Sequence, residues 1–185
     1  KLYGMVGLPS EEEADVEATA ELLLALKKAT PGLRLSLGVS TFVPKAHTPF
    51  QWQGVRSEAE KRLKLLAKRL KPKGIELRPE SYGWSVIQAL LSRSDRRLAP
   101  VIAAARGSHE SLGGWKQAYR QALNAESAAG AAAAVSRSAD TAPPPPPWEE
   151  VIQASWSPER VLPWGHLQGA LPTTTLARQI GRAHV

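Results

Sequence analysis

Two apolar runs with one amphipathic helix between them constrain this fold most. The first, "KLYGMVGLP" (residues 1–9), is a short buried strand closed by Gly7-Leu8-Pro9; the second, "LRLSLGVSTFV", spans residues 33–43. Between them, Ser10 with Glu13 spells a capping box, and Val16, Ala20, Leu23 and Leu24 mark one helical face. Lys27 and Lys28 suit the last turn, and Pro31-Gly32 stops the helix. Strand, helix and strand within about forty residues make a βαβ unit whose strands lie parallel. An α/β fold is therefore expected.

The second run leaves through "STFVPKAHTPFQW" (40–52), where a plain hairpin would use Asn-Gly or Asp-Gly. Pro44 and Pro49 stiffen this exit, and Lys45, His47 and Thr48 put a cation, an imidazole and a hydroxyl at the strand's carboxyl end. In α/β folds that end is where ligands bind. His47 is the most tempting catalytic group, although a lone loop histidine is more often structural. The turn from Gly7 to Glu11 permits close approach of a ligand, because glycine carries no side chain. Glu11, Glu12 and Glu13 follow at once and disfavour a phosphate there; an adenine or sugar contact stays open.

Downstream, Ser57 with Glu60 repeats the capping box, and Leu63, Leu66 and Leu70 form the apolar stripe of a second helix. Lys61, Lys64, Lys68 and Lys71 line another face, which is either merely solvated or in contact with a phosphate backbone. "GIELRP" reads as a third strand near an edge, since Pro79 ends it. From Tyr82 the pattern is helical: Trp84, Ile87, Leu90 and Leu91, then Leu98, Val101 and Ile102, then Leu112, Trp115 and Tyr119. Within "SRSDRRLAP", Asp95 serves as a helix cap. Arg93, Arg96 and Arg97 form a cationic cluster suited to an internal ion pair or to a bidentate carboxylate or phosphate. Four parts result: residues 1–56, the basic helix and helical extension at 57–125, an Ala/Pro-rich flexible linker at 126–147 ending in five prolines, and a Trp-rich tail at 148–185. The tail should dock back on the domain, with a last short helix from Thr173 to Ile180.

Composition excludes several chemistries. No cysteine occurs among the 185 residues, so disulfides, zinc thiolates and cysteine nucleophiles are impossible within them. His109 and His166 lack partners at ligand spacing, His184 sits in the terminal "GRAHV", and no Gly-x-Ser-x-Gly elbow occurs, which disfavours a metal site and a serine hydrolase. The 24 Lys and Arg against 17 Asp and Glu give a net charge of +7, suiting an anionic partner without naming one. No apolar run approaches the ~20 residues that span a bilayer and no signal peptide is visible, so no membrane partner is expected and the cytoplasm is the default. Lys1 lies already inside an apolar run, which looks like a cut edge.

Three stretches together resemble one family. "KLYGMVGLPSE" is similar to the fifth barrel strand and following turn of radical S-adenosylmethionine (radical SAM) enzymes, and "STFVPKAHTPFQWQ" to their sixth-strand exit. "SVIQALLSRSDRRLAPVI" and "VLPWGHLQG" resemble segments that follow the barrel in the branch often carrying a cobalamin-binding domain. The likeness covers residues 1–119 and 148–178. Ala46, Ser94 and Gly165 stand where that branch often has Pro, Gly and Asp. It implies the C-terminal part of a partial (β/α)6 barrel (a TIM-barrel relative), with its last two βα units in residues 1–56, followed by a mostly helical extension.

In that family a Cys-x3-Cys-x2-Cys loop holds a [4Fe-4S] cluster that reductively cleaves S-adenosylmethionine for radical chemistry, and cobalamin is a further cofactor in the branch. By resemblance, Gly7, Leu8 and Pro9 would flank the adenosyl moiety, Phe42, Val43 and Pro44 would border the adenine, and Lys45, His47 and Thr48 would face the substrate. The cluster loop would lie in a missing N-terminal barrel portion, leaving the fragment alone inactive. Its substrate is unknown; RNA modification and methyl or methylthio transfer are both compatible. The competing reading is a non-catalytic basic module that binds nucleic acid or protein, resting on the +7 charge and six tryptophans.

Overall fold

The computed structural model describes residues 1–106, 111–132 and 145–180, with side chains to residue 124 in the second segment and to 179 in the third. Its elements are β1 (Leu2–Val6), α1 (Glu13–Ala29), β2 (Ser36–Thr41), α2 (Glu58–Leu70) and β3 (Glu76–Pro79). Then come α3 (Tyr82–Arg93), α4 (Ala99–Ala105), α5 (Leu112–Ala132), α6 (Trp148–Ile152) and α7 (Thr173–Ile180). The result is a mixed α/β fold. Among the described residues, no helix is long and apolar enough to cross a membrane.

The strands form one parallel sheet in the order β1-β2-β3, with Leu2 opposite Leu37, Val6 opposite Thr41, and Leu77 opposite Leu37 on the other side. Alternation decides the faces. Val6, Leu37, Val39 and Leu77 join Val16, Ala20 and Leu23 of α1 and Leu63, Leu66 and Leu70 of α2 in one core. Both crossover helices therefore cover the same face. Arg69 ties α2 to Glu17 and Glu21 of α1.

The opposite face is bare. Tyr3 and Met5 are 77% and 46% exposed, beside Gly38 and Ser40 on β2, with the Arg78–Glu76 ion pair on β3. This corrects the expectation that the first run is a buried strand: half of it is buried, and no described element covers the rest.

Both serine capping boxes fail. Ser10 takes a left-handed turn (φ 63°) and donates to its neighbour Pro9, while α1 starts later, with Asp15 accepting the Glu12 N–H at 2.8 Å. Ser57 is helical and makes no side-chain cap; its hydroxyl bonds Glu58. In the extension, Ile87, Leu90, Leu98, Val101 and Tyr119 are buried as their spacing implies, whereas Trp84, Leu91 and Ile102 stand nearly half exposed. Helix α5 runs to Ala132, into the stretch expected to be a linker, because Ala is the best helix former. Residues 133–144 lie outside the described residues, as do His109, His184 and the terminal "GRAHV".

The tail returns to the domain. Val151 and Ile152 enter a second core with α3, α4 and α5, and Trp156, Leu162, Trp164 and Leu176 enclose Trp52 in a third. Backbone bonds seat it: Val55 N–H donates to Ile152 O (2.8 Å) and Trp156 N–H to Trp52 O (2.7 Å). Gly54 permits this approach; a Cβ there would lie 2.0 Å from Gln153 O.

Candidate functional site at the strand tips

The β1–β2 ladder extends past Val6, whose carbonyl accepts the Phe42 N–H at 2.8 Å. Residues 7–9 and 42–44 thus emerge side by side at the carboxyl end of the sheet. Gly7 has φ +80°, and a Cβ there would come 2.8 Å from Ala59 Cβ, so this turn over the first turn of α2 requires glycine. Its amide donates to Glu11 Oε2 at 2.6 Å. Arg62 reaches the same acid, Nη1 to Oε2 at 2.5 Å and Nη2 to the Glu11 carbonyl at 2.6 Å. Both side chains are about nine-tenths buried. Glu11 is therefore an internal brace of the turn. The Thr41 hydroxyl beneath Gly7 is buried without a partner among the described residues.

Arg62 was missed by sequence reasoning. Its signal was positional: a cation three residues after Ala59 and four before Leu66, on the face that both bury. Spacing had marked Lys61, Lys64, Lys68 and Lys71 instead, and all four are exposed, with Lys64 paired to Glu60 at 2.8 Å. Trp52, Trp156 and Trp164 are buried in the third core.

The β2 exit is held from both ends. Phe42 packs edge-to-face on Phe50 (5.8 Å), and Val43 and Pro44 are buried. Thr48 turns its hydroxyl back onto Lys45 O at 2.7 Å, and Lys45 is exposed. His47 has φ +57°, the left-handed region, and its N–H donates to Gln51 Oε1 at 3.0 Å. The same oxygen accepts Trp164 Nε1 at 2.8 Å, so the buried Gln51 joins the exit loop to the tail. Gly169 lies against the imidazole; a Cβ there would meet Nδ1 at 2.6 Å.

Between this loop and the tail lies a cleft of about 610 Å3, lined by His47, Gln51, Glu159, Arg160, Trp164 and Thr173 among others. The structure thus brings His47 into a cleft and leaves Lys45 and Thr48 outside it, while the six tip residues sit together. The cleft offers an imidazole, a carboxylate, a guanidinium and a hydroxyl around an aromatic wall, enough to orient a polar ligand. No group of three His, Cys, Asp or Glu able to hold a metal occurs among the described residues.

Three further titratable groups mark the extension. The Arg97 guanidinium lowers the Asp95 carboxyl, which also accepts the Arg97 N–H and caps the turn at residues 96–98. Burial pushes the Tyr119 phenol up to about 12. Burial, then the Arg160 charge, brings Arg93 down to about 10.

No family model matches this chain, and no solved structure matches it. It is similar to an uncharacterized protein of Methanocaldococcus jannaschii, at 33% identity over 102 residues. That match covers 55% of this chain but 22% of the curated relative's length.

Proposed function

We propose that this chain is the C-terminal part of a partial (β/α)6 barrel in a radical SAM enzyme, comprising its last two strand–helix units and the extension behind them. The observation that carries the reading is the lopsided sheet. Strands in sequential order, with both crossover helices on one face, are singly wound; a doubly wound sheet reverses direction and covers both faces. In a closed barrel the uncovered face is the interior, filled by side chains from the remaining strands. Tyr3 and Met5 lie on that face, beside the small residues Gly38 and Ser40. Most of the relative's length lies outside the matched region, which is compatible with further strands in a longer polypeptide.

The residues present fit the [4Fe-4S] cluster and S-adenosylmethionine unequally. The chain has no cysteine, so it supplies no ligand to a [4Fe-4S] cluster, which in this reading other polypeptide would hold. S-adenosylmethionine fits better at the strand tips, where half-buried Leu8 and Pro9 adjoin residues 42–44. The Gly7 amide is already bonded to Glu11 and the Phe42 N–H to Val6 O, so a nucleoside would meet the apolar surface of Leu8 and Pro9 rather than either donor. When bound, the cluster supplies the electron for reductive cleavage of S-adenosylmethionine. The role of this chain is to position: the Glu11–Arg62 brace fixes one tip, and Gln51 with Trp164 fixes the other.

The test is made on the longer product of the gene that encodes this chain, reconstituted anaerobically with iron and sulfide. Release of 5′-deoxyadenosine from S-adenosylmethionine under reducing conditions is expected, along with a three-cysteine loop upstream of Lys1. A product without that loop, or one that takes up no iron–sulfur cluster, would sink the proposal.

A further inference from the structure

A second cleft, of about 230 Å3, opens where α3 ends and the tail returns. Arg93, Arg97 and Arg160 line it with a single carboxylate, Asp95; Leu98 and Val151 are among its apolar walls. Arg97 grips Asp95 through Nε (2.9 Å) and Nη2 (2.7 Å), and Arg160 Nη2 lies 2.8 Å from Glu150 Oε1. Arg93 has no carboxylate partner among the described residues. It is 1% exposed, and its Nη1 and Nη2 donate to the carbonyls of Ile152 (3.1 Å) and Ala154 (2.8 Å). The Trp156 ring lies 3.8 Å from its Cζ, and Arg160 stacks on the same indole at 4.5 Å. Arg93 Nε is buried without a partner.

A guanidinium removed from water and given neutral partners alone is costly. Holding the tail requires hydrogen bonds to two carbonyls, which neutral donors could make. That role leaves the positive charge and the Nε–H unaccounted for. An arriving oxyanion would supply the missing charge, and the planar guanidinium fork matches both phosphate and carboxylate.

We infer that this cleft binds a small oxyanion, a phosphate or carboxylate borne by a small molecule, held by Arg93 and Arg160 against Trp156. The inference goes beyond the barrel reading and does not depend on it. The apolar walls accommodate a short hydrocarbon body attached to the anion.

The test titrates inorganic phosphate and, separately, acetate into the arginine-15N-labelled chain, with chloride holding ionic strength constant. The Arg93 Nε–H signal should shift saturably with at least one probe, and the tighter probe identifies the group. Arg160→Gln should weaken that binding by about tenfold with an unchanged unfolding midpoint. If that variant is destabilised, Arg160→Lys replaces it, keeping the charge but losing the fork, and should weaken binding about threefold. Shifts that grow linearly without saturation, no shift with either probe, or equal affinity in the substituted chain would overturn the assignment.

Discussion

Gly54→Ala should unseat the tail, and the size of the effect can be worked from the geometry. The new Cβ would stand 2.0 Å from Gln153 O and 2.3 Å from its carbonyl carbon, both backbone atoms, whereas real Cβ contacts essentially never fall under 3.0 Å. Gln153 must therefore retreat by about 1 Å, which takes a hydrogen bond of ordinary length out of range. Three bonds flank that residue: Val55 N–H to Ile152 O at 2.8 Å, and Arg93 to the carbonyls of Ile152 and Ala154 at 3.1 and 2.8 Å. One neutral bond is worth about 1 kcal/mol and each charged one about 1.5–3, so their joint loss costs about 4–7 kcal/mol. That is a large share of the ~5–15 kcal/mol that stabilises a typical domain. Urea unfolding should show the loss. Native-state fluorescence should shift to the red as Trp156 and Trp164, now 7% and 8% exposed, enter water. Trypsin should cut at Arg160 much faster. A substituted chain with the parental midpoint, emission and resistance at Arg160 would refute the packing argument.

Two further substitutions test separate claims. Gly7→Ala combines a left-handed backbone with a Cβ 2.8 Å from that of Ala59, while Gly32→Ala has the backbone term (φ +89°) and nothing within 4 Å. The first should cost about 2–5 kcal/mol and the second about 1–2 in urea unfolding; equal losses would remove the steric account of the turn. Tyr119 donates its hydroxyl to Pro146 O, and its pKa is raised to about 12. The native state therefore keeps the phenolic proton after the unfolded chain has lost it near pH 10. The resulting stability is complete below pH 10 and is lost between about pH 10 and 12. Tyr119→Phe should flatten the decline in unfolding free energy between about pH 10 and 12, and parallel declines in the two proteins would contradict this.

The βαβ core was legible because period and punctuation agreed: Val16, Ala20 and Leu23 keep helical spacing, and Pro31-Gly32 ends the segment where the structure ends it. Both strands lie inside the expected runs, though β2 is shorter, with Leu33 59% exposed. Edge placement followed from Pro79, and Thr173–Ile180 forms the expected last helix. Tail docking was legible in its tryptophans. The bare sheet face was not, because exposure of Tyr3 and Met5 depends on what else packs there and not on the residues themselves. The serine caps misled because Ser-x-x-Glu records local chemistry but not the turn preceding it; with Ser10 at positive φ, the helix had to start later. Of the site, the pairing of the strand tips was legible, whereas the cleft around His47 was not, since residues more than a hundred positions later complete it through Gln51 and Trp164.

Closure differs sharply between the two sides of this fold. The helix side is finished: α1 and α2 cover their sheet face, Arg69 and the Glu11–Arg62 brace lock them to each other and to the β1 turn, and the tail seals the extension around Trp52. The strand side is open along β1 and β3, edge strands with no described neighbour beyond them, and over the face carrying Tyr3 and Met5. Around the sheet, the open surface comprises the face carrying Tyr3 and Met5 and the outer edges of β1 and β3, and it is at such edges that further parallel strands would pair. It is this open sheet face, rather than the net charge, on which the proposed barrel reading rests.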